Sequence, residues 1–206
     1  MRLIAEKIVL ARPQAIGIVL VLAGCLDCVR DTMPSLIPFT AAHFPLLLDW
    51  FPTRPELAQW GGPLLDFPLS QNQLEKMLED GETEPPKRLC WMAEKNGAPV
   101  GHVQLGFDWR NGNALICRVA IAPEMRGQGL AGSMIDRVIE EAFRFTTVER
   151  LELNVYTWNA AAIRTYQRSG FTLEGVRRSS ALVDGQRWDT AIMSLLRADW
   201  PGRPRG

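Results

Sequence analysis

The sequence predicts an α+β domain with a mixed, mostly antiparallel central sheet and helices packed against it. Apolar strand patterns come in pairs around short turns, as antiparallel neighbours do. One strand–helix–strand unit interrupts them, with the length of a parallel crossover. The 206 residues suit one domain, and 47% hydrophobic residues are enough to fill its core without disulfides or a structural metal.

Ser35 to Thr40 reads as a short strand, and Ala41 to Phe51 as a helix with Phe44, Leu47, Leu48 and Phe51 at helical spacing. Pro52, Pro55, Gly61, Gly62 and Pro63 predict a loop with one helical turn from Pro55. Ser70 is an N-cap for a helix to about Asp80, whose apolar face carries Leu74, Met77 and Leu78. Leu89 to Lys95 and Pro99 to Phe107 form a hairpin around Asn96-Gly97. A turn at Arg110 to Asn113 leads into the apolar strand Ala114 to Ala122. Gly129 to Phe145 is an amphipathic helix, Leu151 to Tyr156 a strand, and Asn159 to Ser169 a helix that Gly170 ends. Thr172 to Val183 and Arg187 to Leu196 close the fold around Asp184-Gly185.

Charge narrows the function. Twenty-three Lys and Arg balance 23 Asp and Glu, so the chain lacks the basic excess by which proteins coat nucleic acid or anionic membrane. Cys25 and Cys28 form a lone CxxC without a second pair or a nearby His, which is a weak zinc signal, and no metal site is assigned.

The informative stretch is Arg118 to Ile135: an apolar strand, a turn opened by Pro123, then Gly127-Gln128-Gly129-Leu130-Ala131-Gly132 opening a helix. Glycines let a ligand approach the backbone closely, and the first amides of a helix lack intrahelical acceptors. With the helix dipole they make an anion site suited to pyrophosphate. The run is formally GxGxxG, with Glu152 twenty residues beyond Gly132, so a dinucleotide-binding fold has to be weighed. It is set aside because Pro123 to Arg126 separates strand from glycines, Glu152 opens its strand instead of ending it, and an antiparallel meander precedes the motif.

Ile121-Ala-Pro123 followed by Arg126-Gly-Gln-Gly129-Leu-Ala131 resembles the acetyl-CoA signature of the GNAT superfamily of N-acetyltransferases. A second motif, Asn159, Ala162, Tyr166, Gly170 and Phe171, matches N-x-x-A-x-x-x-Y-x-x-x-G-F in every position. The likeness spans roughly Met33 to Trp200. It is strongest to the branch holding ribosomal-protein alanine acetyltransferases and bacterial small-amine acetyltransferases. It implies the acyl-CoA N-acyltransferase fold, with a splayed parallel strand pair, and acetyl-CoA as co-substrate.

The resemblance also implies roles. Backbone amides of Arg126, Gly127, Gln128, Gly129, Leu130 and Ala131 would hold the pyrophosphate, and the backbone of Val119, Ala120 and Ile121 would pair with pantetheine as an added strand. An amide of that strand would polarise the thioester carbonyl. Asn159 would contact the pantetheine arm, for which the small Ala162 leaves room, and the Tyr166 hydroxyl would protonate the departing sulfur. Asn159 is expected as an N-cap whatever the ligand, and the weaker alternative for Tyr166, given the motif, is a half-buried core tyrosine.

No base is assigned: Asp108, Asp189, Glu174 and His102 are candidates, and water-mediated proton removal is an equal alternative. Cys117 as an acyl-accepting nucleophile is disfavoured, since no His neighbours it in sequence. Residues Trp50 to Pro63 and the hairpin Ser179 to Trp188 are expected to form the acceptor site, with Trp50, Trp60, Trp158 and Trp188 as walls or core. The expected partner is an amine, on a small molecule or on a protein, with a homodimer left open; no nucleic acid or membrane partner is expected. The alternative is a catalytically silent acyl-CoA-binding or sensing module on the same fold.

Residues 1 to 32 differ from the rest. Arg2, Lys7 and Arg12 precede the apolar run Ala15 to Cys25, which resembles a signal peptide ending in a lipobox. Because acetyl-CoA is a cytosolic donor, a start assigned upstream of Met33 is preferred to export through a lipidated Cys25. The expected working domain is 33 to 206, in the cytoplasm.

Overall fold

The computed structural model describes residues 34 to 202. The N-terminal run with its CxxC and lipobox-like end lies outside the described residues. Seven strands form one sheet in the order β1-β2-β3-β4-β5-β7-β6. They are β1 (Ser35–Pro38), β2 (Arg88–Lys95), β3 (Ala98–Asp108), β4 (Asn113–Ile121), β5 (Arg150–Tyr156), β6 (Thr172–Val183) and β7 (Gln186–Leu196). Every pairing is antiparallel except β4 with β5. The helices are α1 (Phe44–Asp49), α2 (Arg54–Gly61), α3 (Gln71–Glu79), α4 (Leu130–Arg144) and α5 (Ala160–Arg168).

Both tight hairpins form where their turn residues predict. Asn96 and Gly97 have φ of 53° and 75°, and Asp184 and Gly185 have 45° and 79°, the positive pair that a two-residue hairpin turn needs. The Ser70 cap forms a reciprocal turn in which the Ser70 N–H donates to Gln73 Oε1 at 2.7 Å.

Two expected elements differ. The helix expected over Ala41 to Phe51 is split into a 3₁₀ turn, Ala41–His43, and the short α1. The single helical turn expected from Pro55 within the Pro52 to Pro63 loop is the two-turn α2, because Thr53 caps it and Leu57, Ala58 and Trp60 find a buried surface. Prolines at the first turn of a helix start it as readily as they break its interior.

Each sheet face carries its own core. Residues from β2 to β5 and β7 meet α4 on one face, with Val103, Leu105, Met134, Ile135 and Leu151 almost fully buried. On the other face α1, α2 and α3 enclose Leu47, Leu57, Leu74 and Met92. Leu151 lies on β5, the strand that bears the parallel pair, and is completely buried. Leu151→Ala should therefore cost about 2–5 kcal/mol, read as a lowered denaturant midpoint in equilibrium unfolding.

Candidate active site

β4 and β5 pair only from Asn113↔Arg150 to Ile116↔Leu153. Beyond that the strands part, although β4 runs on to Ile121 and β5 to Tyr156. The cause is a bulge in β4. His102 faces Ala120 and Gln104 faces Cys117, so two residues of β4, Arg118 and Val119, stand against the single Val103 of β3. Arg118 takes a φ of 51°, and its carbonyl accepts a 2.7 Å hydrogen bond from Trp60 Nε1 on α2. The extra residue also reverses the alternation of β4: Ala114 and Ile116 face the α4 core, and after the bulge Val119 and Ile121 take that face while Ala120 joins the opposite core.

A cavity of about 500 Å³ fills the gap. Its rim is the loop before α4, with Arg126, Gly127, Gly129, Leu130 and Ala131; one wall is Val119, Ala120 and Ile121, and the other is Asn159, Ala162 and Tyr166. Ten of the expected ligand residues and Tyr166 thus line one space. Gln128 does not line it; its side chain turns to Met125 Sδ at 3.8 Å. Gly127 and Gly129 have φ of 78° and 77°, and a Cβ built on either meets nothing within 4 Å. The glycines therefore serve the left-handed backbone, and the space in front of them is open. Amides at the start of α4 have no intrahelical acceptor, so this rim has the donors an anion needs.

Asn159 is the N-cap of α5, with Oδ1 accepting from the Ala162 N–H at 3.1 Å. The same residue lines the cavity. Tyr166 is 8% exposed, and burial pushes its phenol up to about 12, so it holds its proton across the physiological range.

The four base candidates do not line the cavity. Asp108 caps its own turn, accepting from the Asn111 side chain at 2.6 Å. Glu174 is ion-paired with Arg150, whose hydrogen bonds hold its carboxyl down at about 2. Asp189 accepts from the Ser179 N–H at 2.6 Å. His102 is fully buried between Phe39 and Trp60, and burial pushes its imidazole down to about 3, which leaves it neutral. Burial likewise pushes the Cys117 thiol up, away from the thiolate a nucleophile needs. Sequence reasoning missed the carboxylate that does line the cavity, Glu56, in the first turn of α2 with Oε2 accepting from Thr53 Oγ1 at 2.7 Å. The Thr53-x-x-Glu56 spacing was the available sign.

A second cleft of about 420 Å³ adjoins the first and shares with it Gln59, Trp60, Ile116 to Arg118 and Asn154 to Tyr156. α2 and the β6–β7 hairpin supply its other walls, including Ser180, Ala181 and Thr190. Of the four expected tryptophans, Trp60 lines both spaces and Trp50 belongs to the core. Trp158 and Trp188 line neither cleft; Trp158 stacks on Tyr156, and Trp188 meets both rings edge-on. Among the described residues no cluster of His, Cys, Asp or Glu is placed to hold a metal, and no helix is long and apolar enough to cross a membrane.

A family model described as Acetyltransferase (GNAT) family matches residues 47–171. The chain belongs to this family. It is similar to L-amino acid N-acetyltransferase AaaT of Escherichia coli, 29% identical over 104 residues, which are 50% of this chain and 64% of that protein. It is also similar to spermidine N(1)-acetyltransferase of Vibrio cholerae, 28% identical over 86 residues, 42% of this chain and 50% of that protein. In both cases the match spans less than two thirds of the relative's length. Among solved structures, spermidine N-acetyltransferase from Vibrio cholerae in complex with CoA and spermine has a TM-score of 0.71 at 20% identity, covering 82% of this chain and 98% of that chain. At that identity the likeness establishes the fold.

Proposed function

We propose that this chain transfers an acetyl group from acetyl-CoA to a primary amine by direct attack in a ternary complex. One observation carries the reading: a single cavity runs from an anion-binding glycine rim, through the gap between β4 and β5, to a buried, protonated tyrosine. The pyrophosphate sits on the amides of Arg126 to Ala131, and the free edge of β4 at Val119 to Ile121 pairs with the pantetheine amides. Ala162, lacking a long side chain, leaves the passage for that arm. The amine lone pair attacks the thioester carbonyl, and an amide of β4 holds the developing oxyanion. As the C–S bond breaks, Tyr166 gives its proton to the sulfur, releasing CoA thiol and the N-acetyl product. Glu56, the carboxylate lining the cavity, receives the proton that the amine loses.

The working domain is residues 33–206: among the described residues the first strand of the sheet is Ser35–Pro38, two residues after Met33. A cytosolic donor places it in the cytoplasm. Purified chain incubated with acetyl-CoA and a panel of amines should release free thiol, followed with a thiol reagent, in proportion to acceptor. Tight acetyl-CoA binding without thiol release from any amine would instead favour the silent acyl-CoA-binding module.

A further inference from the structure

The second cleft carries an unbalanced charge. Its lining includes Arg88, Arg118 and Arg177 and neither Asp nor Glu. Arg88 is compensated, with Nε 3.3 Å from Asp80 Oδ2. Among the described residues Arg118 and Arg177 pair with no carboxylate. Arg177 Nη2 reaches only the Asn154 side-chain oxygen, at 2.8 Å. Arg118 Nη1 shares one neutral acceptor with Arg88 Nη1: they stand 2.8 and 3.1 Å from Gln104 Oε1. Arg118 Nε is buried without any partner. Burial, and to a lesser extent the charge of Arg88, pulls the Arg118 guanidinium below its ordinary value. A half-buried cation that faces a like charge across one amide oxygen is stabilised by an anion brought to it.

Position links this charge to the reaction site. The β4 bulge puts Arg118 at the junction of the two spaces, where it lines both. Leu115, Ile116 and Trp60 give the cleft apolar walls. A molecule with its amine in the gap between β4 and β5 would lay its body on those walls and its far end between Arg118 and Arg177.

We infer that the second cleft selects primary amines that also carry an anionic group, a carboxylate or a phosphate, and disfavours polycationic amines. The inference rests on the acetyl-transfer reading and adds the chemical class of its acceptor. Two free guanidiniums would repel a polyamine where they attract an amino acid or an aminoalkyl phosphate.

The test measures kcat/KM for the standard L-amino acids against their C-terminal amides, for O-phosphoethanolamine against ethanolamine, and for spermidine. Anionic acceptors should exceed their neutral counterparts by about tenfold or more. The carboxylate and phosphate arms show which anion the cleft takes. Arg177→Gln, at an exposed position, should raise KM for the anionic acceptor about tenfold while leaving KM for the neutral counterpart in place. Arg118→Gln should act in the same direction. Equal or better use of amides, ethanolamine or spermidine would overturn the inference while leaving acetyl transfer standing, and so would an unchanged KM in both variants. Should no amine react, calorimetric titration of the amino acids and O-phosphoethanolamine into CoA-saturated protein separates the two readings. Binding that Arg177→Gln weakens would keep the anionic subsite and end the transfer reading, and absence of binding would end both.

Discussion

Gly129→Glu should abolish acetyl-CoA binding, with an affinity loss of about 100-fold or more by calorimetry, as befits a carboxylate set at an anion site with several charge-assisted donors. Gly129 is the N-cap of α4 at φ 77°, facing open space at the rim of the cavity. A side chain there meets no protein atom, so its bulk and negative charge fall where the pyrophosphate would sit. The substitution also costs about 1–2 kcal/mol for placing an L-residue in left-handed backbone. Gly129→Gln separates the two effects, because glutamine matches glutamate in size and in backbone strain and carries no charge. The expected order of affinity is wild type, Gln, then Glu, with melting temperatures of the two variants close together. Undiminished binding by the Glu variant would remove the pyrophosphate from this loop and the acetyl-CoA reading with it.

Tyr166→Phe should lower kcat by about 10²–10⁴, the usual worth of a positioned general acid, with acetyl-CoA affinity within about threefold of wild type. The ring stays, so the T-shaped contact with Phe171, at 6.2 Å between centroids, is kept and the fold is not at issue. Only the hydroxyl is lost. Since burial raises the phenol to about 12, the acid form is present up to that pH and fails only as pH rises through it. The wild-type rate should therefore show no loss from Tyr166 between pH 6 and 10, and any basic-side fall in that window should persist in the Phe variant. A variant with full kcat would show that another group or water protonates the sulfur.

These two residues were legible because their signals are local. Gly127 and Gly129 announce a left-handed turn at a helix start, and Asn159, Ala162 and Tyr166 share one face of a helix whatever the helix packs against. Strand pairs around Asn96-Gly97 and Asp184-Gly185 were legible for the same reason. Position in the cavity then followed once β4 and β5 were taken as parallel neighbours.

Other parts of the site have no such signature. Trp60 reads alike as core or wall, and its place at the cavity follows from its indole reaching the Arg118 carbonyl, 58 residues away in sequence. Glu56 was not singled out because the prolines around it suggested a loop with a single helical turn, whereas the buried surface waiting for Leu57 makes α2 a two-turn helix. His102 and Glu174 had the chemistry of bases, but full burial takes one away from the cavity and weakens it as a proton acceptor, and Arg150 occupies the other.

By itself, then, the sequence determined the order of elements, the α+β class, the glycine rim and the Asn159–Tyr166 helix, all set by hydrogen bonding and side-chain spacing within a few residues. Only the tertiary structure decided the bulge at Arg118 and Val119, the parting of β4 from β5, and the meeting of Arg88, Arg118 and Arg177 around one cleft. The physical reason is strand register: one extra residue on β4 reverses which side chains face which side of the sheet, and that residue is recognised only against its partner on β3.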